Sequence, residues 1–294
     1  MNKEKDKKEG YYQIKTIDKP SRAIITQRVH SIIFGSLLGD GHCRPTGNLA
    51  FGFGPKNEEY ARWLAKELES VRSTTPVAKR AYTDKRNMKI YESYTFETYR
   101  LFHDYRRLFY VPHIESGEVD GIGNPYLVPT DLYKYQEGEE EFPHIIDSDG
   151  VRKKIYFVKR VPLSLKKKLD VLALAIWYMD DGGRSGGGTK NCVFITLDGF
   201  TWEEGDFIQS VIKDNFGIDG RHNKAGFSTR SRRRQHRLTI PFKEYPKFYE
   251  LLYPIVSQIP SMMKKLPPVT PRKILEPKPI KRSKKIILPI SPEE

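Results

Sequence analysis

Two short stretches constrain the fold of this chain more than any others: Ile33 to Gly41 (IFGSLLGDG) and Leu174 to Gly182 (LAIWYMDDG). Each is an apolar run of helical character that ends in an aspartate followed by glycine. A helix C-terminus carries partial negative charge and favours cations, so a carboxylate there is locally unfavourable unless it has a cation to bind. Gly41 and Gly182 fit the left-handed position that stops a helix. Gly35 and Gly39 lie four apart, share one helix face and permit close backbone approach. Asp40 and Asp181 are 141 residues apart, about the length of one small domain. The arrangement expected is two similar halves docked through this helix pair, with the two carboxylates side by side at the seam.

The flanking pattern repeats in the same way. A first helix is expected from Ile24 to Asp40, followed by a hairpin within His42 to Gly54, where Pro45, Thr46, Gly47 and Asn48 supply the turn. Asn57 reads as the N-cap of a helix that buries Tyr60, Trp63, Leu64 and Leu68. Strands near Val77–Thr83 and Lys89–Phe96 follow, then a helix lined by Tyr99, Phe102, Tyr105 and Phe109. In the second half a helix introduced at Pro162–Ser164 carries Leu169, Leu172, Ala173 and Ile176, and a strand follows at Cys192–Thr196. Thr201 and Glu204 form a capping box for a helix with Phe207, Ile208, Val211 and Ile212 inward, stopped by Gly217. A charged hairpin spans Arg221 to Pro241. Tyr245, Phe248, Leu251 and Ile255 repeat the earlier aromatic series at a constant offset of 146. Each half reads as helix, strand pair, helix, strand pair, helix, an α+β pseudo-dimer.

The division expected is a polar tail at 1–22, a first subdomain at 23–162, a second at 163–268 and a Pro/Lys-rich tail at 269–294. The first subdomain alone carries an insertion, about 113–152, rich in Gly, Pro and acid. It reads as a surface excursion turned away from a polyanion. The chain has 51 Lys and Arg against 37 Asp and Glu, a formal charge of +14, which favours nucleic acid as partner. Cys43 and Cys192 are too few for a disulfide framework and suit a reducing compartment. No apolar run reaches the ~18 residues of a membrane span, and the N-terminus lacks the apolar core of a secretory signal. A cytoplasmic or organelle-matrix protein is expected, nucleoid-associated in a prokaryote.

The two nonamers, the Gly-His after Asp40, Gly183 after the second motif and the late Met262 to Pro267 segment resemble the LAGLIDADG homing endonucleases in their single-chain, two-motif form. The likeness covers roughly residues 25 to 268. It implies two αββαββα subdomains packed through the motif helices, with saddle-shaped antiparallel sheets for DNA. It implies a monomer that makes a site-specific double-strand break in a long duplex site. Each acid serves one strand across the minor groove and leaves short 3′ overhangs. Asp40 and Asp181 would be the catalytic acids and hold Mg²⁺, with Mn²⁺ as a substitute; hard cations take such oxygen ligands beside phosphate. Asp180 is the nearest rival, but alignment sets it opposite Gly39. The resemblance further implies a lysine from each half near the metal. Matching Pro162 with Pro267 selects Lys159 and Lys265, with Arg160 and Lys264 as the adjacent alternatives.

Sequence reading should fall to the strand pairs, with Lys and Arg on phosphates supplying affinity. The candidates are Arg44, Asn48, Lys79, Arg80, Lys85 and Arg86 in the first half. In the second they are Arg230, Arg232, Arg233, Arg234, Gln235 and Arg237. An RNA maturase that helps its host intron fold, or a regulator that binds DNA without cutting it, could use the same scaffold. Retention of both motif acids favours cleavage. The absence of intein splicing blocks favours a free-standing intron product.

Overall fold

The computed structural model describes residues 25–84, 88–119, 125–133, 144–146, 149–184, 192–228 and 233–269. The first motif forms α1 (Gln27–Leu38), opened by Thr26, whose hydroxyl accepts the Val29 amide. Then come β1 (His42–Cys43), β2 (Leu49–Phe53), α2 (Glu58–Glu67), β3 (Ala78–Asp84), β4 (Lys89–Glu97) and α3 (His103–Phe109). Asn57 precedes α2 but its side chain does not cap it. Its Oδ1 instead accepts from Lys264 Nζ at 3.2 Å. The strands form an antiparallel sheet in the order β1-β2-β4-β3.

The segment around the expected surface excursion is partly built into two small antiparallel sheets. It comprises β5 (Tyr110–Val119), β6 (Pro125–Pro129), β7 (His144–Ile146), β8 (Arg152–Lys154) and β9 (Tyr156–Lys159). β6, β5 and β9 pair in that order, and Tyr110 stands opposite Lys159. The acid-rich residues 137–141 lie outside the described residues.

The second half restates the first. After α4 (Leu165–Lys168) come α5 (Val171–Asp181), β10 (Gly182–Arg184), β11 (Val193–Thr196), α6 (Trp202–Phe216), β12 (Arg221–Ser228), β13 (Arg233–Ile240) and α7 (Tyr245–Val256). The sheet order, β10-β11-β13-β12, is that of the first half. The expected capping box is present: Thr201 accepts the Glu204 amide while Glu204 accepts from the Thr201 amide, and Gly217 ends α6 at φ 61°. The helix expected to run unbroken through Leu169 is two helices. Asp170 is extended, caps α5 by accepting the Ala173 amide at 2.8 Å, and accepts Ser31 Oγ from α1 at 2.5 Å. An aspartate there starts a helix better than it continues one.

α1 and α5 are buried nearly all round, as a helix pair at the centre of a protein must be. A Cβ on Gly35 would stand 2.3 Å from the Ala173 carbonyl oxygen, and one on Gly39 2.6 Å from the Asp180 Cβ. Those two glycines set the approach of the helices. The left-handed conformation expected of Gly41 and Gly182 is not adopted. Gly182 is extended (φ −74°), and neither is among the positive-φ glycines. They are small for a different reason: a Cβ would meet the Ser36 carbonyl oxygen at 2.7 Å in one case and the Tyr178 carbonyl oxygen at 2.2 Å in the other.

Candidate active site and DNA-facing sheets

The tight seam delivers three carboxylates to one place. Asp40 follows α1 and is exposed, while Asp180 and Asp181 end α5 and are half-buried. Asp180 lies over Gly39, accepts the Tyr60 hydroxyl at 2.9 Å and lies 3.4 Å from the Asp40 amide. It therefore ties the second motif to the first motif and to α2. Burial raises the Asp180 carboxyl well above the carboxylate range, with Asp40 and Asp181 adding to the rise. Burial and then Asp40 push Asp181 up to about 7, against the pull of Lys159. The buried Trp177 indole N–H also favours charged Asp181, although it makes no hydrogen bond of good geometry. Burial first and then the same three acids raise the Tyr60 hydroxyl.

Two lysines close this site, and their protons go to the helix ends. Lys159 Nζ donates to the carbonyls of Gly39 at 2.6 Å and Gly41 at 3.2 Å. Lys265 Nζ donates to those of Met179 at 2.6 Å and Asp180 at 2.7 Å. Each ammonium thus satisfies orphan carbonyls at a helix C-terminus, where the dipole favours a cation. Burial lowers both lysines, opposed by all three carboxylates, with Asp181 the strongest influence on Lys159 and Asp180 on Lys265. The adjacent alternatives turn elsewhere. Arg160 reaches His113 at 3.1 Å and Glu204 at 3.8 Å, and Lys264 is exposed.

The two lysines are held by different means. β9 pairs with β5 to present Lys159. The Lys265 turn is gripped by hydroxyls, with Tyr178 donating to the Lys265 carbonyl and Tyr245 to the Pro267 carbonyl. The strands that bound the insertion are therefore part of the frame of the site.

Asp40, Asp180 and Asp181 form no ion pair among the described residues. Among the described residues no three His, Cys, Asp or Glu side chains are placed to hold a metal ion together. Asp180 is taken up by Tyr60 and the Asp40 amide, which leaves Asp40 and Asp181, a carboxylate pair of the kind a hard divalent cation takes together with phosphate oxygens.

The sheets flank this site, and their register sorts the DNA candidates. Residues directly opposite in an antiparallel pair share a face. Phe51–Phe96 and Phe53–Tyr94 face the core, so Gly52, Thr95, Ala78, Arg80, Ser93, Tyr82 and Tyr91 face outward. Arg80 lies on that open face. Lys79, opposite Tyr94, is on the helix side and pairs with Glu92 at 2.9 Å, so it does not join Arg80. Asn48 is buried, accepts Thr46 Oγ1 at 2.5 Å and donates to Glu97 at 2.8 Å; it braces the turn and is not free to read a base. Arg44 is held by Glu97 at 2.7 Å. With Arg80 it lines a hollow of about 740 Å³.

On the second sheet Gln235 and Arg237 face outward, opposite Gly226 and Asn223. Gln235 donates to Asp198 at 2.6 Å, and the Arg237 guanidinium lies 4.7 Å from the Phe194 ring centre. Arg233 and Arg234 stand in β13 opposite Ser228 and Phe227. Lys85, Arg86, Arg230 and Arg232 lie outside the described residues. Arg221 and Asn223 share the open face and were missed; a bulge between Lys224 and Gly226 shifts the register by one residue, so strict alternation across the hairpin would have put Lys224 and His222 there instead. Tyr60 had no such signal, because its partner is 120 residues away.

A sequence model of the LAGLIDADG DNA endonuclease family matches residues 30–117 and 150–254. The chain is 24% identical over 259 residues to the RecA protein of Mycolicibacterium chitae, covering 83% of this chain and 47% of that protein. It is also 24% identical over 202 residues to the cytochrome b mRNA maturase bI2 of Saccharomyces cerevisiae, covering 66% of this chain and 38% of the relative. The chain thus spans less than half the length of these curated relatives. Among solved structures it resembles the homing endonuclease I-WcaI bound to its DNA recognition sequence. The TM-score is 0.57 at 15% identity, covering 83% of this chain and 87% of that one. That likeness shows the fold, two motif-bearing halves of mixed helix and antiparallel sheet. The chain belongs to the LAGLIDADG DNA endonuclease family.

Proposed function

We propose that this protein is a single-chain homing endonuclease that cuts both strands of a long duplex site, leaving short 3′ overhangs. Its halves are 23–162 and 163–268. The observation that carries the reading is the convergence of Asp40 and Asp181 at the seam, each motif end bearing its own half-buried lysine, between two sheets with open outer faces.

Asp40 and Asp181 would hold Mg²⁺, or Mn²⁺ in its place. The ion, when bound, supplies an activated water and stabilisation of charge on the leaving oxygen. Lys159 and Lys265 hold the helix ends in place and keep positive charge beside the phosphates. Asp180 fixes the relative position of the two motif ends through Tyr60 and the Asp40 amide. The open faces of the two sheets take the duplex, with Arg80, Arg221 and Arg237 on its backbone or bases.

Sequencing the ends produced from a library of long randomised duplexes, with purified protein and Mg²⁺, tests this reading. Discrete ends with short 3′ overhangs at one extended site are expected, and their absence contradicts it. Likeness to a cytochrome b mRNA maturase supports a second reading, assistance to intron RNA folding. Tight, metal-independent binding to the host intron RNA with no DNA ends would favour that reading instead.

A further inference from the structure

The two halves match at their acids and lysines but not at the next residue of the strand that follows. Asp40 and Gly41 lead to His42, while Asp181 and Gly182 lead to Gly183. The partners across the sheet are exchanged in size. His42 stands opposite Ala50, and Gly183 stands opposite Phe194, whose ring would come within 2.7 Å of a Cβ on that glycine. Where the first half presents an imidazole on the open face, the second presents a phenyl ring under the guanidinium of Arg237.

The imidazole is held and oriented. Tyr110 Oη lies 3.0 Å from His42 Nδ1 and accepts the Cys43 amide at 3.2 Å. The Cys43 amide can only donate to the phenol oxygen, and the Arg106 guanidinium lies over the ring face and donates to the Cys43 carbonyl, so the phenol proton is assigned to Nδ1. The neutral ring then carries its hydrogen on Nε2, an assignment made from the hydrogen-bond network. His42 is exposed, and it immediately follows the Gly41 carbonyl that takes Lys159. Among the described residues, an imidazole thus stands on the open face directly after one motif acid and its glycine, where the other half has Gly183.

We propose that His42 donates a hydrogen bond from Nε2 to a phosphate oxygen at the cut on one DNA strand. The second half makes no equivalent contact, so the two strands are cut with different sets of protein contacts. Tyr110 is the positioning residue that sets the ring. This rests on the endonuclease reading above.

The test is a strand-resolved cleavage time course with Mg²⁺ on the duplex recovered by the end-sequencing selection, each strand carrying its own label. His42→Ala should slow the cut of one strand by roughly tenfold or more, less than the ~10²-fold or more lost with a donor in a water-excluded site, because this face is open to solvent. The other strand should keep its rate and nicked duplex should accumulate. His42→Gln, which restores a neutral N–H donor, should recover most of the loss. Tyr110→Phe, which keeps the ring and removes the proton, should slow the same strand less, and it carries the test if His42→Ala fails to fold. Equal slowing of both strands, an unchanged rate, or a glutamine variant as slow as alanine overturns the proposal. A wild-type protein that cuts neither strand instead contradicts the endonuclease reading itself.

Discussion

At the scale of residues, the site is an excess of carboxylate held together by burial. Asp181, pushed up to about 7 by burial and Asp40, is neutral in much of the folded, metal-free protein, whereas in the unfolded chain it ionises near the usual value of about 4. A raised carboxyl contributes stability below its unfolded pKa and loses it as pH rises through its folded one. In chelator, the thermal midpoint of the wild type should therefore fall relative to Asp181→Asn as pH rises from about 4 to 8. Mg²⁺ should restore the wild type most at the upper end of that range and the variant least. Melting curves at fixed pH with and without chelator check this; a wild type that gains on the variant as pH rises would contradict it. The sequence showed Asp40 and Asp181 because each breaks the preference of a helix end. It set Asp180 opposite Gly39 but did not show why, since the Tyr60 hydroxyl that holds it comes from another element.

At the scale of elements, the helix pair is set by two glycines, and each should be intolerant of a methyl group. Gly39→Ala drives a Cβ to 2.6 Å from the Asp180 side chain, and Gly35→Ala to 2.3 Å from a backbone oxygen. Overpacking of this kind costs about 1–3 kcal/mol, with Gly35 the worse because backbone cannot step aside. Urea titration should show a lower midpoint for both, and an unchanged midpoint for Gly35→Ala would mean the helices are not this close. Strands and helices were legible where apolar residues repeat at period 2 or 3.6, down to the Thr201–Glu204 box. Three features were not. Gly41 and Gly182 read as left-handed stops, yet their smallness answers to steric contact with Ser36 and Tyr178, which local sequence does not reveal. The helix break at Asp170 is set partly by Ser31, 139 residues away. β9 takes its position from pairing with β5, and such pairing leaves no mark in local composition.

At the scale of the molecule, both motif helices pack within one polypeptide, so the active unit we propose is a single chain, 34.2 kDa for this sequence. Sedimentation should give that mass, alone and per DNA site; a stable dimer would contradict the account. The excess of positive charge over the whole chain pointed to a polyanion, but only the sheet register separates Arg80, Arg221 and Arg237 on the open faces from Lys79 on the helix side. Neutralising Arg80 and Arg237 should flatten the dependence of DNA affinity on salt by about one unit of slope for each phosphate no longer neutralised, while Lys79→Gln leaves it unchanged. An effect from Lys79 and none from the arginines would place the DNA on the other face.

The central claim is that Asp40 and Asp181 together make the double-strand break. Its most direct test compares Asp40→Asn and Asp181→Asn with wild type on the selected duplex in Mg²⁺, measuring cleavage and binding on the same samples. The account predicts that each variant loses double-strand cleavage by at least about 10²-fold, the scale on which removing one electrostatic interaction from a transition state slows a reaction, with binding retained. Full cleavage by either variant would contradict it.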